Sequence, residues 1–479
     1  MPVTATDAAP APTVFMMKGS SVLEAETTHN PVVMKSTLEL TSLDTEVTSA
    51  KPQEPKDSIF HYMYRTNLFL LFLCFALVMT SSTLLISVVP LAADDIGISR
   101  KFATLTIGIY LFGAAVSASL SGRLFSKYGR FLGFLVGTVC TVVGAGICSL
   151  AVNRHYHFLI YVGCFLVGVQ QGLGQLFRFT AVEIFPKHIQ SKSVTIIISG
   201  GIVGAIMGPL LAKWSVGLVH TYYKYESCFF MLGVVGIFNL IVLLNVKFPA
   251  KTVDGYQSRD ICTVEERPLF EIISQPKLSL SVTVATVANA VMVMLMSNCI
   301  IAMEDDEFGF RSIVIALQIH FLAMFVPGLF TGKLIELISA VKVAFLGCLI
   351  YVFAGLSFAS GNEMWNYVPG MALLGLGWNF SFTSSTLMLT DCYRPVEALQ
   401  VQAFNDFVIF SVSGISTLIA GVIYNYAGWE MLIYISWILM LCGMVMFSIA
   451  QYMIFGECSC SRRPRFSPSP SAVVDQAVP

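Results

Sequence analysis

Charge is what this sequence has least of. Asp, Glu, Lys and Arg make up 12% of its 479 residues, while 56% are hydrophobic; soluble domains carry roughly 25% charged residues. Such a chain cannot hide its apolar surface inside one water-soluble globule, which points to an integral membrane protein. The net charge of −1 gives no basis for nucleic-acid binding. Twelve cysteines are present, yet no CxxC pair or Cys/His metal spacing occurs, and Cys74, Cys140, Cys148, Cys164, Cys299, Cys348 and Cys442 fall inside long apolar runs. A disulfide framework and a metal site are therefore not expected. HExxH, GxSxG and phosphate-loop motifs are also missing, since GLFTGKL at 328–334 has neither the spacing nor the Ser or Thr of a phosphate loop. No enzymatic activity and no cofactor are expected.

Residues 1–65 are rich in Thr, Ser, Pro and Glu and have neither a basic start nor an apolar h-region, so they read as a disordered tail and not as a signal peptide. Cys458 and Cys460, just past the last apolar run, are either unmodified tail cysteines or acylation sites. The sequon Asn379-Phe-Ser381 lies inside an apolar run, where glycosylation is not expected.

A bilayer core about 30 Å thick needs roughly 20 apolar residues in a helix. Twelve runs of that length occur: 66–92, 102–122, 131–152, 157–183, 192–217, 227–246, 278–302, 312–332, 341–360, 365–389, 403–424 and 431–455, here called spans 1 to 12. The flanks on the side of the two chain ends hold 19 Lys and Arg, counting those at span edges, against 6 on the other side. By the positive-inside bias both termini are cytoplasmic. The polar stretch 247–277 then reads as a cytoplasmic linker between an N-terminal bundle, 66–246, and a C-terminal bundle, 278–455, with 456–479 as a second tail.

Two short repeats support that division. GLGQLFRFT at 172–180 matches GLGWNFSFT at 375–383 in six of nine positions, and GRLFS at 122–126 is echoed by GKLIE at 332–336. Each pair occupies the same place in its half.

The segment Gly122-Arg-Leu-Phe-Ser-Lys-Tyr-Gly-Arg130 resembles the G-x-x-x-D-R-x-G-R signature between spans 2 and 3 of the major facilitator superfamily, with Gly122, Lys127, Gly129 and Arg130 fitting and Ser126 replacing the acid. Ser199-Gly-Gly-Ile-Val-Gly-Ala-Ile-Met-Gly-Pro209 is similar to the glycine-rich signature of the superfamily's antiporters, although close helix packing accounts for Gly200, Gly204 and Gly208 equally well. Arg178–Glu183, Gln318–Pro327, Gly377–Phe380 and Asn405–Phe407 resemble a mostly bacterial subgroup that includes riboflavin transporters. The resemblance implies twelve transmembrane helices in two pseudo-symmetric six-helix bundles, with a central substrate pocket lined by spans 1, 4, 7 and 10 and a gating loop at Gly122–Arg130.

Polar residues inside a bilayer are costly unless they face protein or water, so they are the functional candidates. Gln171, Gln175 and Arg178 share one helical face at i, i+4, i+7. Arg178 either contacts substrate, snorkels to the interface, or pairs with Glu183 or Asp406. Span 10 places Asn379 and Thr383 on one stripe with Trp378 beside it, and span 7 carries Asn289 and Asn298; each of these either meets substrate or bonds a neighbouring helix. His320, Glu183 and Asp406 are the candidates for proton coupling, with a neutral His320 bonded to another helix as the alternative. The expected protein is a monomeric plasma-membrane carrier that contacts the lipid bilayer, a small solute and, if coupled, protons. Riboflavin or a similar vitamin leads the substrate list; a sugar, an amino acid, drug efflux by proton antiport, or a transporter-like receptor stay open.

Overall fold

The structure is a computed structural model, and it describes residues 58–185, 187–216, 218, 224–248, 267–394 and 397–461. The expected tail up to residue 57, most of the 247–277 linker and the tail beyond 461 lie outside the described residues, as do the side chains of Ser126, Glu183, Cys458 and Cys460. By its contacts the chain divides into Met1–His61, of which residues 58–61 open the first helix, and Tyr62–Pro479, which holds every other helix.

The described residues are helices joined by short turns, with no strand. A backbone in hydrocarbon must satisfy its own hydrogen bonds, and the long apolar runs do so locally as helices. Length and apolarity mark nine of them, or ten with a bent pair counted once, as able to cross a membrane among the described residues. Twelve were expected, and two features account for the difference. Gln400–Val445 is one stretch of 46 residues, about 69 Å if straight, but it is interrupted at Gly428, whose φ is 78°. Met364–Thr390 has 27 residues, ample length for a span, and its Asn, Ser and Thr content lowers its apolarity. The bent pair is Phe310–Phe325 with Gly328–Ile338, which meet at 42° around Pro327.

The duplicated sequence is matched by duplicated backbone. Between spans 1 and 2, Gly97 N–H donates to the Asp94 carbonyl at 2.9 Å and Ile98 N–H to the Ala93 carbonyl at 3.0 Å. The same hydrogen-bonding pattern recurs 210 residues on: Glu307 N–H bonds the Glu304 carbonyl at 3.1 Å and Phe308 N–H the Met303 carbonyl at 2.9 Å. Gly97 and Glu307 both take positive φ, 91° and 62°. The segment expected as a gating loop holds the turn between two helices that together run from Leu105 to Arg154, with Gly129 at φ 85° where they meet. Arg130 there lies over the Phe125 ring at 4.8 Å.

The N-terminal and C-terminal helix sets pack directly on each other. The helix holding spans 2 and 3 meets that of spans 11 and 12, and a Cβ built on Gly108 would lie 2.8 Å from the Gly414 carbonyl oxygen. Within the N-terminal set, Gly200, Gly204 and Gly208 form the flat face on which span 1 rests, and Thr83 Oγ1 donates to the Gly204 carbonyl at 2.8 Å. Pro209 is accommodated inside the helix Lys187–Ser215.

Candidate functional site

A cavity of about 140 Å³ lies between the two helix sets. Spans 1, 4, 7 and 10 contribute to its wall, as do spans 2, 8 and 11. The N-terminal set supplies hydroxyls and amides: Ser82, Thr83, Tyr110, Gln171 and Gln175, with Arg178 at one end. The opposing set supplies aromatics, Phe321, Phe325, Trp378, Phe382 and Phe410, together with Asn289 and Asp406. Ile86, Ile107, Leu111 and Val293, with Met79, Met292, Met296 and Met324, complete the lining; unbranched thioethers can repack around ligands of different outline. Pockets for organic ligands usually measure about 300–1,000 Å³, so a vitamin-sized solute requires these walls to move apart.

Local hydrogen bonds fix much of this wall. Ser82 Oγ donates to Gln171 Oε1 at 2.7 Å, tying span 1 to span 4. Trp378 Nε1–H donates to Asn289 Oδ1 at 2.9 Å, and Asn289 Nδ2 donates to Ser413 Oγ at 2.7 Å. One amide thus links spans 7, 10 and 11 and sets the plane of the indole, which stacks on Phe382 at 4.6 Å and 13°. Asn289 acts on the site through Trp378 as well as by lining it.

Contacts between the sets cross the molecule on both sides of the cavity. At one end Arg178 Nη2 lies 3.7 Å from Asp406 Oδ2, and Asn405 Nδ2 donates to Asp406 Oδ1 at 3.1 Å. That ion pair is longer than a direct charge-assisted hydrogen bond. At the other end Arg100 pairs with Asp305 and lies 3.6 Å from Asp94, while Tyr424 donates to Asp305 at 2.7 Å. Thr104 Oγ1 also reaches the Thr417 carbonyl at 3.2 Å.

Of the residues singled out from sequence, the structure brings Gln171, Gln175, Arg178, Asn289, Trp378 and Asp406 together on the wall. Asn298, Asn379, Thr383 and His320 are not part of it. The Asn379 amide is used between helices, donating to the Met324 carbonyl at 2.7 Å and accepting from Thr331 at 2.6 Å. Asn298 donates to the Met294 carbonyl of its own helix at 2.9 Å. His320 is fully buried, with Nδ1 2.9 Å from the Met371 carbonyl, so that contact makes Nδ1 the protonated nitrogen and joins span 8 to span 10. Glu183 sits on the short helix Phe177–Ile184, beyond a break at Gln175–Leu176 that the sequence pattern does not signal. Sequence reasoning missed Ser82, Tyr110 and the methionines. The one available cue was a tyrosine and a TSST run in otherwise apolar spans.

Comparison with known proteins agrees with this architecture. A sequence profile of the Major Facilitator Superfamily matches residues 71–417, and the chain belongs to that family of multi-pass membrane transporters. It is 29% identical over 372 residues to the riboflavin transporter RfnT of Brucella anthropi, an alignment covering 76% of this chain and 91% of that protein. It is 24% identical over 342 residues to YdeG, an MFS-type transporter of Bacillus subtilis, covering 69% and 78% of the two chains. Among solved structures, the human organic anion transporter MFSD10 superposes with a TM-score of 0.59 at 13% identity, covering 80% of this chain and 99% of that one, a likeness of fold.

Proposed function

We propose that the protein is a secondary transporter that carries a planar, largely uncharged solute, riboflavin or a close relative, across the plasma membrane by alternating access. The observation that carries this reading is the two-faced cavity between the helix sets, aromatic on one side and rich in hydroxyls and amides on the other. A fused ring stacks on Trp378 and Phe382, while Gln171 and Gln175 exchange hydrogen bonds with ring carbonyl and imide groups. The similarity to RfnT supports the same solute class.

In this reading both termini and the Arg178 end face the cytoplasm, and the protein works as a monomer with no chemical step. Rocking of the two bundles opens the Arg178–Asp406 contact and the Arg100–Asp305 contact in turn. The Gly122–Arg130 turn and its Gly332–Glu336 counterpart flank the cytoplasmic opening. Asp406, the one carboxylate among the described lining residues, is the group best placed to couple a proton to solute movement.

The test is riboflavin uptake in cells that lack their own transporter, with and without an imposed pH gradient. The reading expects saturable uptake of riboflavin. If a proton gradient drives it, Asp406→Asn removes the dependence on the gradient. Uptake no greater than that of cells without the protein would refute the proposed substrate.

A further inference from the structure

Phe325 of span 8 belongs to the C-terminal set and lines the cavity. Its ring also packs on a hydrophobic cluster made otherwise of N-terminal residues, among them Leu71, Phe75, Phe177 and Ile197. Among the described residues it is the one side chain that packs both on this cluster and on the central core. Its seat in the opposite set is Gly201 of span 5. A Cβ built on Gly201 would lie 2.6 Å from Phe325 Cδ1 and 2.7 Å from Cε1, well inside the roughly 3.5–4.0 Å at which two carbons rest. Gly200, Gly204 and Gly208 make room for span 1; Gly201 makes room for this ring.

The two aromatic walls nearest each other are held differently. Trp378 is tied to Asn289 by a hydrogen bond and stacks on Phe382. Phe325 meets Trp378 edge-on, with centroids 6.5 Å apart, and its phenyl ring has only van der Waals contacts to hold it. It also ends the helix Phe310–Phe325, at the bend around Pro327. Its place in the cavity therefore depends on the bare backbone of Gly201. In a cavity of about 140 Å³, small for an organic ligand, the position of one ring decides what fits.

We infer that Phe325, seated on Gly201, is a specificity-determining residue of the solute site: this contact between spans 5 and 8 sets how wide a ring system the cavity admits. The inference rests on the proposed transport of a planar heterocycle and adds the residue that limits its width. A methyl group at position 201 drives the phenyl ring off span 5 and narrows the cavity. Loss of the ring opens space continuous with the cavity and relaxes the limit.

The test uses the full chain, purified and reconstituted into proteoliposomes. The probes are riboflavin and an analogue in which one ring methyl is replaced by dimethylamino, wider at the ring edge. Phe325→Ala is expected to move the kcat/KM ratio of analogue to riboflavin about tenfold toward the analogue, and Gly201→Ala about tenfold toward riboflavin, as for small changes of volume in an apolar pocket. Phe325→Leu, which keeps more of the packing, moves the ratio the same way as Phe325→Ala and serves if the alanine variant does not fold. Gly201→Ala combined with Phe325→Leu, which makes room for the added methyl, returns the ratio close to that of the unmodified protein. A ratio unchanged by either single substitution, or moved the same way by both, overturns the inference. Failure of the unmodified protein to take up riboflavin overturns the flavin reading instead. In that event acrylamide quenching of ligand-free Trp378, with the other four tryptophans changed to Phe, still decides: a rise in Phe325→Leu supports the inference, and no change overturns it.

Discussion

Gly129 and Ser339, 210 residues apart, hold the same backbone conformation: φ 85° and ψ 165° at the first, φ 91° and ψ 150° at the second. Each sits at the turn that joins the second and third helices of its half. A glycine enters this region without steric penalty, whereas a serine there is strained by about 1–3 kcal/mol. The second copy of the repeat keeps the turn and bears the strain. Ser339→Gly is therefore expected to stabilise the protein by about 1 kcal/mol after the extra chain entropy of glycine is subtracted. A thermal melt in detergent checks it; a lower Tm would show that the serine hydroxyl outweighs its backbone.

Asn379 and Trp378 are neighbours in sequence with opposite assignments. Asn379 is 4% exposed and joins Met324 to Thr331. Asn379→Ala should cost about 0.5–2 kcal/mol of stability through the lost interhelical bonds. Its KM for riboflavin should stay within about twofold of the unmodified value, since the side chain lies off the cavity. Trp378→Ala should do the reverse, weakening riboflavin binding strongly with a smaller effect on ligand-free stability. Paired melts and uptake assays separate the two.

Asn289 positions the indole. Removing its amide by Asn289→Ala leaves the Trp378 N–H without its acceptor and frees the ring from its plane. The expected outcome is a shifted Trp378 emission spectrum, read in a background where the other four tryptophans are Phe, and a KM raised roughly 5- to 30-fold. A KM rise without any spectral change would mean that Asn289 acts by direct contact alone.

Glu397 anchors the end of the linker to the turn after span 10. Arg267 donates from Nε to Glu397 Oε1 at 2.9 Å and from Nη2 to Oε2 at 2.7 Å, and Arg394 N–H adds a third bond at 2.9 Å. The Arg267 guanidinium, helped by the backbone N–H groups of Arg394 and Arg267, holds the Glu397 carboxyl at about 2, below its ordinary 4.5. A folded-state value below the unfolded one adds stability that is complete above about pH 4.5 and is lost as the pH falls toward 2. Arg267→Met should lower the Tm at pH 7 and flatten its decline between pH 4.5 and 2. A decline as steep as that of the unmodified protein would assign the acid sensitivity to other carboxylates.

Much of this organisation is legible in the sequence because hydrocarbon imposes a simple rule: a run of some twenty apolar residues forms a helix. The twelve runs lie mostly on helix, with breaks at Gln175–Leu176 and Val326–Pro327, and Gln171, Gln175 and Arg178 all reach the cavity wall although the first of those breaks falls among them. The same rule hides what lies between helices. In a helix that is apolar on every side no periodicity tells the lipid face from the protein face, so Tyr110 and the four lining methionines carry no positional signal. Polarity alone also overreaches. Asn379, Asn298 and His320 are polar and buried, and their bonds run to backbone carbonyls and, for Asn379, the Thr331 hydroxyl, not to the cavity. Ser381, where the first repeat has Arg178, packs against Gly347, which explains why a long side chain has no room in the second copy.

The central claim is that one cavity between two moving helix sets carries the solute, and a reversible lock at the Arg100–Asp305 end tests it most directly. Arg100→Cys with Asp305→Cys places thiols on the two sets, where their side chains now touch. In proteoliposomes, cross-linking this pair is predicted to stop riboflavin uptake, and reduction to restore it, while the same treatment leaves the unmodified protein active. Uptake that continues at full rate with the pair cross-linked would contradict the account.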